Sequence, residues 1–298
     1  MKTEIPDQLK AGLPQSRWGK MLMVTPVVMT VIATLLAGLA SSEMTRAQYD
    51  RAYAAQLQSK AGDQWNYFQA KKLRSALQRN TIDLLQATAE VHPLDATLLD
   101  QVGGALDTAT HDALFKGTLP APPVATQADP TVKAALEAVE AGKPEIEIAA
   151  TLGKVENATL ADLLKSVRDN ASAFDELTKP VNQTIDRLEK LFASGDRAAN
   201  RDFTAARIRY SAARYDAEAR LNQAIAYVLE LQVRKSNISA ERHHKRSGKF
   251  FFGMLAAQAA VVVSTFSLAA QKRNFLWSVA AIAGMVAIAF AIYVFLYV

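Results

Sequence analysis

Three stretches of the chain are apolar without interruption: Met21 to Ala40, Phe250 to Ala270 and Phe275 to Val298 hold no charged residue. Each reaches the roughly 20 residues that a helix needs to cross a bilayer, so each is expected to span one. Only Gln271 to Asn274 separates the last two, which predicts a transmembrane hairpin of residues 250–270 and 275–298. Elsewhere the pattern changes. From Ser41 to Val91 there is no proline and Gly62 is the lone glycine, and from Asp196 to Lys249 there is again no proline. Both runs are rich in Ala, Leu, Lys and Arg and predict long helices, 41–91 and 196–249. At 1.5 Å per residue each would be roughly 75 Å long, matched for an antiparallel two-helix stalk.

The second run carries a heptad stripe: Ala217, Leu221, Ala224, Val228, Leu231, Lys235 and Ile238 recur at alternating spacings of four and three. It is read as the seam of the stalk. Between the runs, residues 92–195 are broken by Pro93, Gly103-Gly104, a Pro-rich loop over 118–130, Gly142, Pro144, Gly153 and Pro180. They predict a small head of short helices. Asp129-Pro130 is an N-cap and first-turn pair for a helix through Glu140, Thr159 with Asp162 resembles a capping box, and Pro180 suggests a kink. The fold class expected is therefore all-α: a basic segment 1–20, a first transmembrane helix 21–40, the stalk, its head, and the C-terminal hairpin. The alternative for the start is a cleaved signal peptide, since Lys2, Lys10, Arg17 and Lys20 precede the first span and Gly38-Leu39-Ala40 offers a small-residue site.

Charge sharpens this division. The chain carries +5 in total, but His92 to Asp196 holds 17 acidic against 9 basic residues, leaving +13 on the remainder. Basic residues beside a bilayer are drawn to anionic headgroups, and Arg242, Lys245, Arg246, Lys249, Lys272 and Arg273 are read as headgroup contacts. Nucleic acid is not expected as a partner, because the basic residues are spread along helices and the middle is acidic. There is no cysteine, which excludes a disulfide framework and thiolate metal sites.

No phosphate loop, nucleophile elbow, HExxH or dinucleotide-binding pattern occurs. His243-His244 sit among Arg242, Lys245 and Arg246, an environment that disfavours a metal cation. No cofactor, metal or catalytic residue is assigned, and an enzyme with its site in the head is only a third reading. Inside the spans, Ala256 and Ala260 line one helix face, and Ala280, Gly284, Ala287 and Ala291 another, as where helices pack closely in lipid. They are read as membrane packing and as the face through which copies associate. Gln258 is the most polar side chain in the hairpin and is read as interhelical glue rather than a transport residue.

Asp63 to Arg74, DQWNYFQAKKLR, sets aromatics one turn before cations. On a helix Trp65, Phe68 and Lys72 share one side and Tyr67, Lys71 and Arg74 the other. If both stalk helices start at the membrane, residues whose numbers sum to about 289 lie opposite each other. Trp65 then meets Ala224, Lys71 and Lys72 come near Glu218 and Asp216, and Glu43 comes near Arg246. WNYFQAKK at Trp65 to Lys72, shortly after a single N-terminal span, resembles the signature of an uncharacterised bacterial membrane-protein family, domain of unknown function four-three-three-seven. The closing hairpin, with Lys272, Arg273 and Trp277, is similar to that family's ending. The resemblance implies a bacterial membrane protein with a helical extramembrane part and supplies no activity or ligand. The expected role is a membrane-anchored, homo-oligomeric scaffold that engages an unidentified protein partner; the alternative is a channel, a transporter or an accessory subunit of one. The basic residues before the first span, outnumbering Arg46 and Arg51 just after it, and those in the hairpin turn predict a cytoplasmic N-terminus and turn and an exported stalk and head, against the contrary signal of Arg242 to Lys249; in the bacterial inner membrane that the resemblance implies, this puts stalk and head in the periplasm.

Overall fold

The computed structural model describes residues 17–120, 129–269 and 273–297, and every regular element among them is a helix. In order these are α1 (Arg17–Thr88), α2 (Ala96–Gly103), α3 (Thr108–Lys116), α4 (Pro130–Glu140), α5 (Glu145–Leu152), α6 (Asn157–Phe192), α7 (Arg197–Ala269) and α8 (Arg273–Tyr297). The basic residues before Arg17, most of the Pro-rich loop and Lys272 lie outside the described residues, as does the side chain of Arg273. The first apolar stretch and the run that follows it are one uninterrupted helix, and so are the second long run and the apolar stretch after it. Two helices, α1 and α7, are long and apolar enough to cross a membrane, with windows of mean hydropathy 2.1 and 1.7; the described apolar part of α8, Ser278–Val294, is shorter.

The chain divides into two compact units, Met1–Tyr53 with Ser236–Val298, and Ala54–Lys235. In the first, α1, α7 and α8 meet through small side chains. Ala33, Leu36 and Ala40 pack with Phe250, Ala257, Ala287 and Val294. Serines tie the helices at closer range: Ser247 donates to the Ala40 carbonyl at 2.7 Å and Ser236 to that of Asp50 at 2.9 Å. Most of the large apolar side chains of this unit face outward, with Leu35 63% exposed, Phe252 64% and Phe266 65%.

In the second unit α6 turns at Gly195 and packs antiparallel on α7. Asp196 caps α7 by accepting from the amides of Ala198 and Ala199 at 3.0 and 3.1 Å. Val181, Ile185, Leu188 and Phe192 meet Phe203, Ala206 and Tyr210, closed by Leu99 of α2 and Leu114 of α3; Phe192 and Phe203 stack with centroids 4.6 Å apart. Farther along, Leu164, Val167 and Ala171 of α6 pack against Ala54, Leu57 and Ala61 of α1 and Ile225, Leu229 and Val233 of α7.

This arrangement changes three expectations. Residues 157–192 are one helix of 36 residues lying along α7, not a set of short head helices, and Pro180 sits inside it without ending it. Thr159 and Asp162 form no capping box, because α6 begins at Asn157, after Glu156. The stripe from Ala217 to Ile238 does not serve α1 alone: Leu221 lines a groove with Phe174 of the middle segment and Arg79 of α1, and the Lys235 ammonium donates to the Val155 carbonyl. In the second unit the residues of α7 that bond to α1 are Ala212, Asp216, Glu218 and Glu230, off that stripe. A helix packed on two sides carries two stripes. The Asp129 cap with Pro130 at the first position is found, Asp129 accepting from the Thr131 amide at 2.8 Å.

Candidate functional site

Two polar clusters bind α1 to α7, one in each unit. In the second unit, the indole N–H of Trp65 donates to Glu230 Oε1 at 2.9 Å and its ring stands edge-on to Tyr227 and Phe68, with centroids at 5.2 and 5.5 Å. Trp65 thus closes on Tyr227 and Glu230, the residues three and six beyond its expected neighbour Ala224, which is half-buried. Two turns on, Lys71 pairs with Glu218, and Lys72 donates to Asp216 Oδ1 at 2.6 Å. Their residue numbers sum to 289 and 288. Ser75 continues the ladder, its hydroxyl donating to the Ala212 carbonyl at 2.9 Å.

Each acid here has a second cation: Arg214 meets Glu218 at 2.8 Å and Arg220 meets Asp216 at 3.0 Å. Lys71, Arg74 and Arg214 also surround the Tyr215 ring, with the Arg214 guanidinium carbon 4.6 Å from its centroid. The hydrogen bond from Lys72 holds the Asp216 carboxyl below the usual carboxylate range, with Lys72, Arg220 and Arg79 adding charge attraction against its desolvation. Burial pushes the Tyr210 hydroxyl up to about 12, and it donates to Asn182 Oδ1 at 3.2 Å. A groove of about 480 Å³ adjoins the cluster, lined by Arg79, Phe174, Asp216, Arg220 and Leu221. The arrangement fixes helices in register.

In the first unit the centre is Glu43, which is 8% exposed. His243 Nδ1–H donates to its Oε2 at 2.5 Å, and the guanidinium groups of Arg46 and Arg246 lie 3.7 and 3.8 Å from its Oε1. His243 and Arg246 are therefore partly engaged inside the chain rather than free for headgroups. Lys245 pairs with Glu241 at 3.5 Å and Lys249 lies 5.1 Å from the Tyr293 ring centroid. Arg51 also reaches Glu241, at 3.9 Å. Arg242, expected at the headgroups, is exposed and engages a partner within the chain. Among the described residues no group of three or more His, Cys, Asp and Glu side chains is arranged to hold a metal ion.

The small-residue row of α8 is used within the chain. A side chain at Gly284 would run into Met29 of α1, Ala287 is fully buried in the cluster with Leu36 and Ala257, and Ala280 and Ala260 are buried as well. The row is therefore no free face for association between copies. Ala256 and Ala291 flank the same cluster. Gln258, by contrast, is exposed.

Residues 18–112 match the model of a family described as Domain of unknown function (DUF4337). The match contains the whole of Trp65 to Lys72 and agrees with the resemblance seen there; the C-terminal hairpin lies beyond it. No curated protein and no solved structure matches the chain.

Proposed function

We propose that this protein is a membrane-anchored helical scaffold of the bacterial inner membrane, held by three apolar helical segments and presenting the helices of residues 54–235 to a protein partner in the periplasm. The observation that carries the reading is the inverted distribution of side chains in the first unit. Val27, Val31 and Leu35 of α1, Phe252, Val262 and Phe266 of α7, and Ile282, Met285 and Leu296 of α8 are exposed, whereas alanine, glycine and serine are buried between these helices. Apolar surface of that extent without polar relief is matched by lipid, not water. A scaffold role accords with the polar clusters, whose charges are spent on one another.

The test is fractionation of cells expressing the full chain, followed by purification from native membranes with identification of bound proteins. Retention in the pellet after alkaline carbonate is expected, together with a partner lost when the exposed surface of α6 is altered. Release by carbonate would overturn the anchoring. Orientation is read with Ser172→Cys, an exposed α6 position in a chain without cysteine. Labelling by an impermeant maleimide in intact spheroplasts is expected, and labelling only after the cytoplasm is opened would reverse the sidedness.

A further inference from the structure

Hydroxyl groups in the apolar stretches are satisfied within their own chain. Thr30 donates to the Pro26 carbonyl at 2.8 Å, Thr34 to that of Thr30 at 2.9 Å, and Ser264 and Thr265 both to that of Val261, at 2.9 and 2.8 Å. Thr25, Ser267 and Ser278 also have partners. Gln258 differs. Among the described side chains of these stretches it is the polar one with no hydrogen bond inside the chain, and it is exposed. A primary amide carries two donors and an acceptor, and leaving it unpaired in hydrocarbon costs several kcal/mol.

Its surroundings are shaped for another helix. Phe251, Leu255, Gln258, Val262 and Thr265 recur at spacings of four, three, four and three and are all exposed, which is the seam of a left-handed helix pair with the glutamine at its centre. Beside it runs a groove of about 480 Å³ whose other lining is small or short: Thr30, Ala33, Thr34 and Ala37 of α1, with Val261 and Val262. Small residues let a neighbouring backbone approach closely.

We propose that Gln258 and this seam form the interface between two copies of the chain in the membrane, each Gln258 amide donating to the carbonyl oxygen of the other. The occupant follows from chemistry. The seam holds no charged side chain, so a charged partner finds no complement there, whereas a primary amide is complementary to itself and a two-fold axis lets two of them exchange hydrogen bonds. The α8 row offers no alternative, because Met29, Leu36 and Ala257 already occupy it. This inference rests on the membrane reading, so its test measures the two separately.

The chain has no cysteine, so Gln258→Cys and Ile282→Cys can be made singly in the full-length protein. Native membranes are oxidised with copper phenanthroline, and carbonate extraction is run on the same samples. A disulfide-linked dimer is expected for Gln258→Cys and not for Ile282→Cys, which is exposed on α8. In labelled full-length protein reconstituted in phosphatidylcholine vesicles, energy transfer between copies should report an association about 3- to 30-fold weaker for Gln258→Leu, the range measured for one polar interhelical contact. Gln258→Asn should retain most of it. Carbonate-resistant protein that forms no Gln258→Cys dimer, with parent and Gln258→Leu associating equally in the vesicles, overturns the interface and leaves the anchoring intact; carbonate release overturns both. Ready reaction of Gln258→Cys with an impermeant maleimide, without a dimer, assigns the seam to a water-lined path and also overturns the proposal.

Discussion

The two units of this chain are built from the same pair of long helices, yet they sort side chains by size in opposite senses. Around residues 54–235 the fully buried positions include many large side chains, Phe174, Phe203, Tyr210, Leu188 and Leu229 among them, beside alanines such as Ala219 and Ala226. Around residues 1–53 and 236–298 the buried positions are mostly small, including Ala257, Ala260, Ser264, Ser267, Ala280 and Ala287; Leu36, Phe250 and Val294 are the larger apolar ones, while Leu35, Leu39, Phe252 and Phe266 lie outside. Water explains the first pattern, since burying a large apolar side chain there contributes roughly 1.5–3 kcal/mol. The proposed lipid surroundings account for the second. Where the surroundings are as apolar as leucine, helices gain by close backbone approach and not by hiding large groups.

The comparison breaks most visibly at Phe203. It is fully buried and stacked on Phe192, so Phe203→Ala should remove about 3–5 kcal/mol of stability from the second unit. Hydrogen exchange in detergent should show loss of protection confined to residues 54–235, with carbonate resistance unchanged. Truncating an equally large side chain in the first unit should do far less: Phe252→Ala is expected within about 0.5 kcal/mol of the parent in detergent, because that ring contacts solvent and not core. Enlargement should have the converse effect. Ala257→Leu places three more carbons where Leu36 and Ala287 already pack and should destabilise the first unit by about 1–3 kcal/mol, read as a lowered melting temperature in detergent. If Phe252→Ala proves the more harmful of the two, the first unit is an ordinary water-facing core and the contrast fails.

How far this was legible depended on the contrast in each stripe. The helical class, the long runs and the apolar stretches follow from composition that any packing would respect. Lys71 and Lys72 sit where equal rod length sets them against Glu218 and Asp216, because two helices paired along their length share one register. The buried face of α1 was harder to see. Ala33, Leu36, Ala40, Glu43, Ala47, Ala54, Leu57 and Ala61 follow a heptad pattern, but alanines and a glutamate make a stripe of low contrast. The stripe from Ala217 to Ile238 presents the opposite difficulty. That stripe is conspicuous, and periodicity reports that a face is buried without saying against what. The length of α6 was hidden by Pro180, whose missing N–H deprives only the carbonyl of Glu176, an exposed residue that water can serve. Nothing in a single sequence joined Glu43 to His243 as a buried hydrogen bond, since histidines among cations read as a solvated patch.

The smallest expected effect separates the units by pH. Asp216 is held below its ordinary value of 3.8 chiefly by the Lys72 hydrogen bond, so the folded state binds its proton less readily than the unfolded chain does. The sign follows from linkage: the contribution is fully present above the unfolded value near 3.9 and is lost as pH falls through the lower folded value. Lys72 is about half exposed and Arg220 is more so, which limits the whole pair to about 1 kcal/mol. Asp216→Asn should therefore lower the stability of residues 54–235 by that amount at pH 7, and the difference from the parent should shrink as pH falls below the ordinary value of 3.8. Arg220→Ala should have less effect than Lys72→Ala, because the Lys72 bond dominates the shift. The measurement is hydrogen exchange of parent and variants between pH 3 and pH 7, corrected for intrinsic exchange rates and read separately in residues 54–235 and in the helices of the first unit. An Asp216→Asn deficit that persists unchanged at pH 3 would mean that the side chain acts through shape alone, and the ion-pair ladder would lose its part in holding the register of α1 on α7.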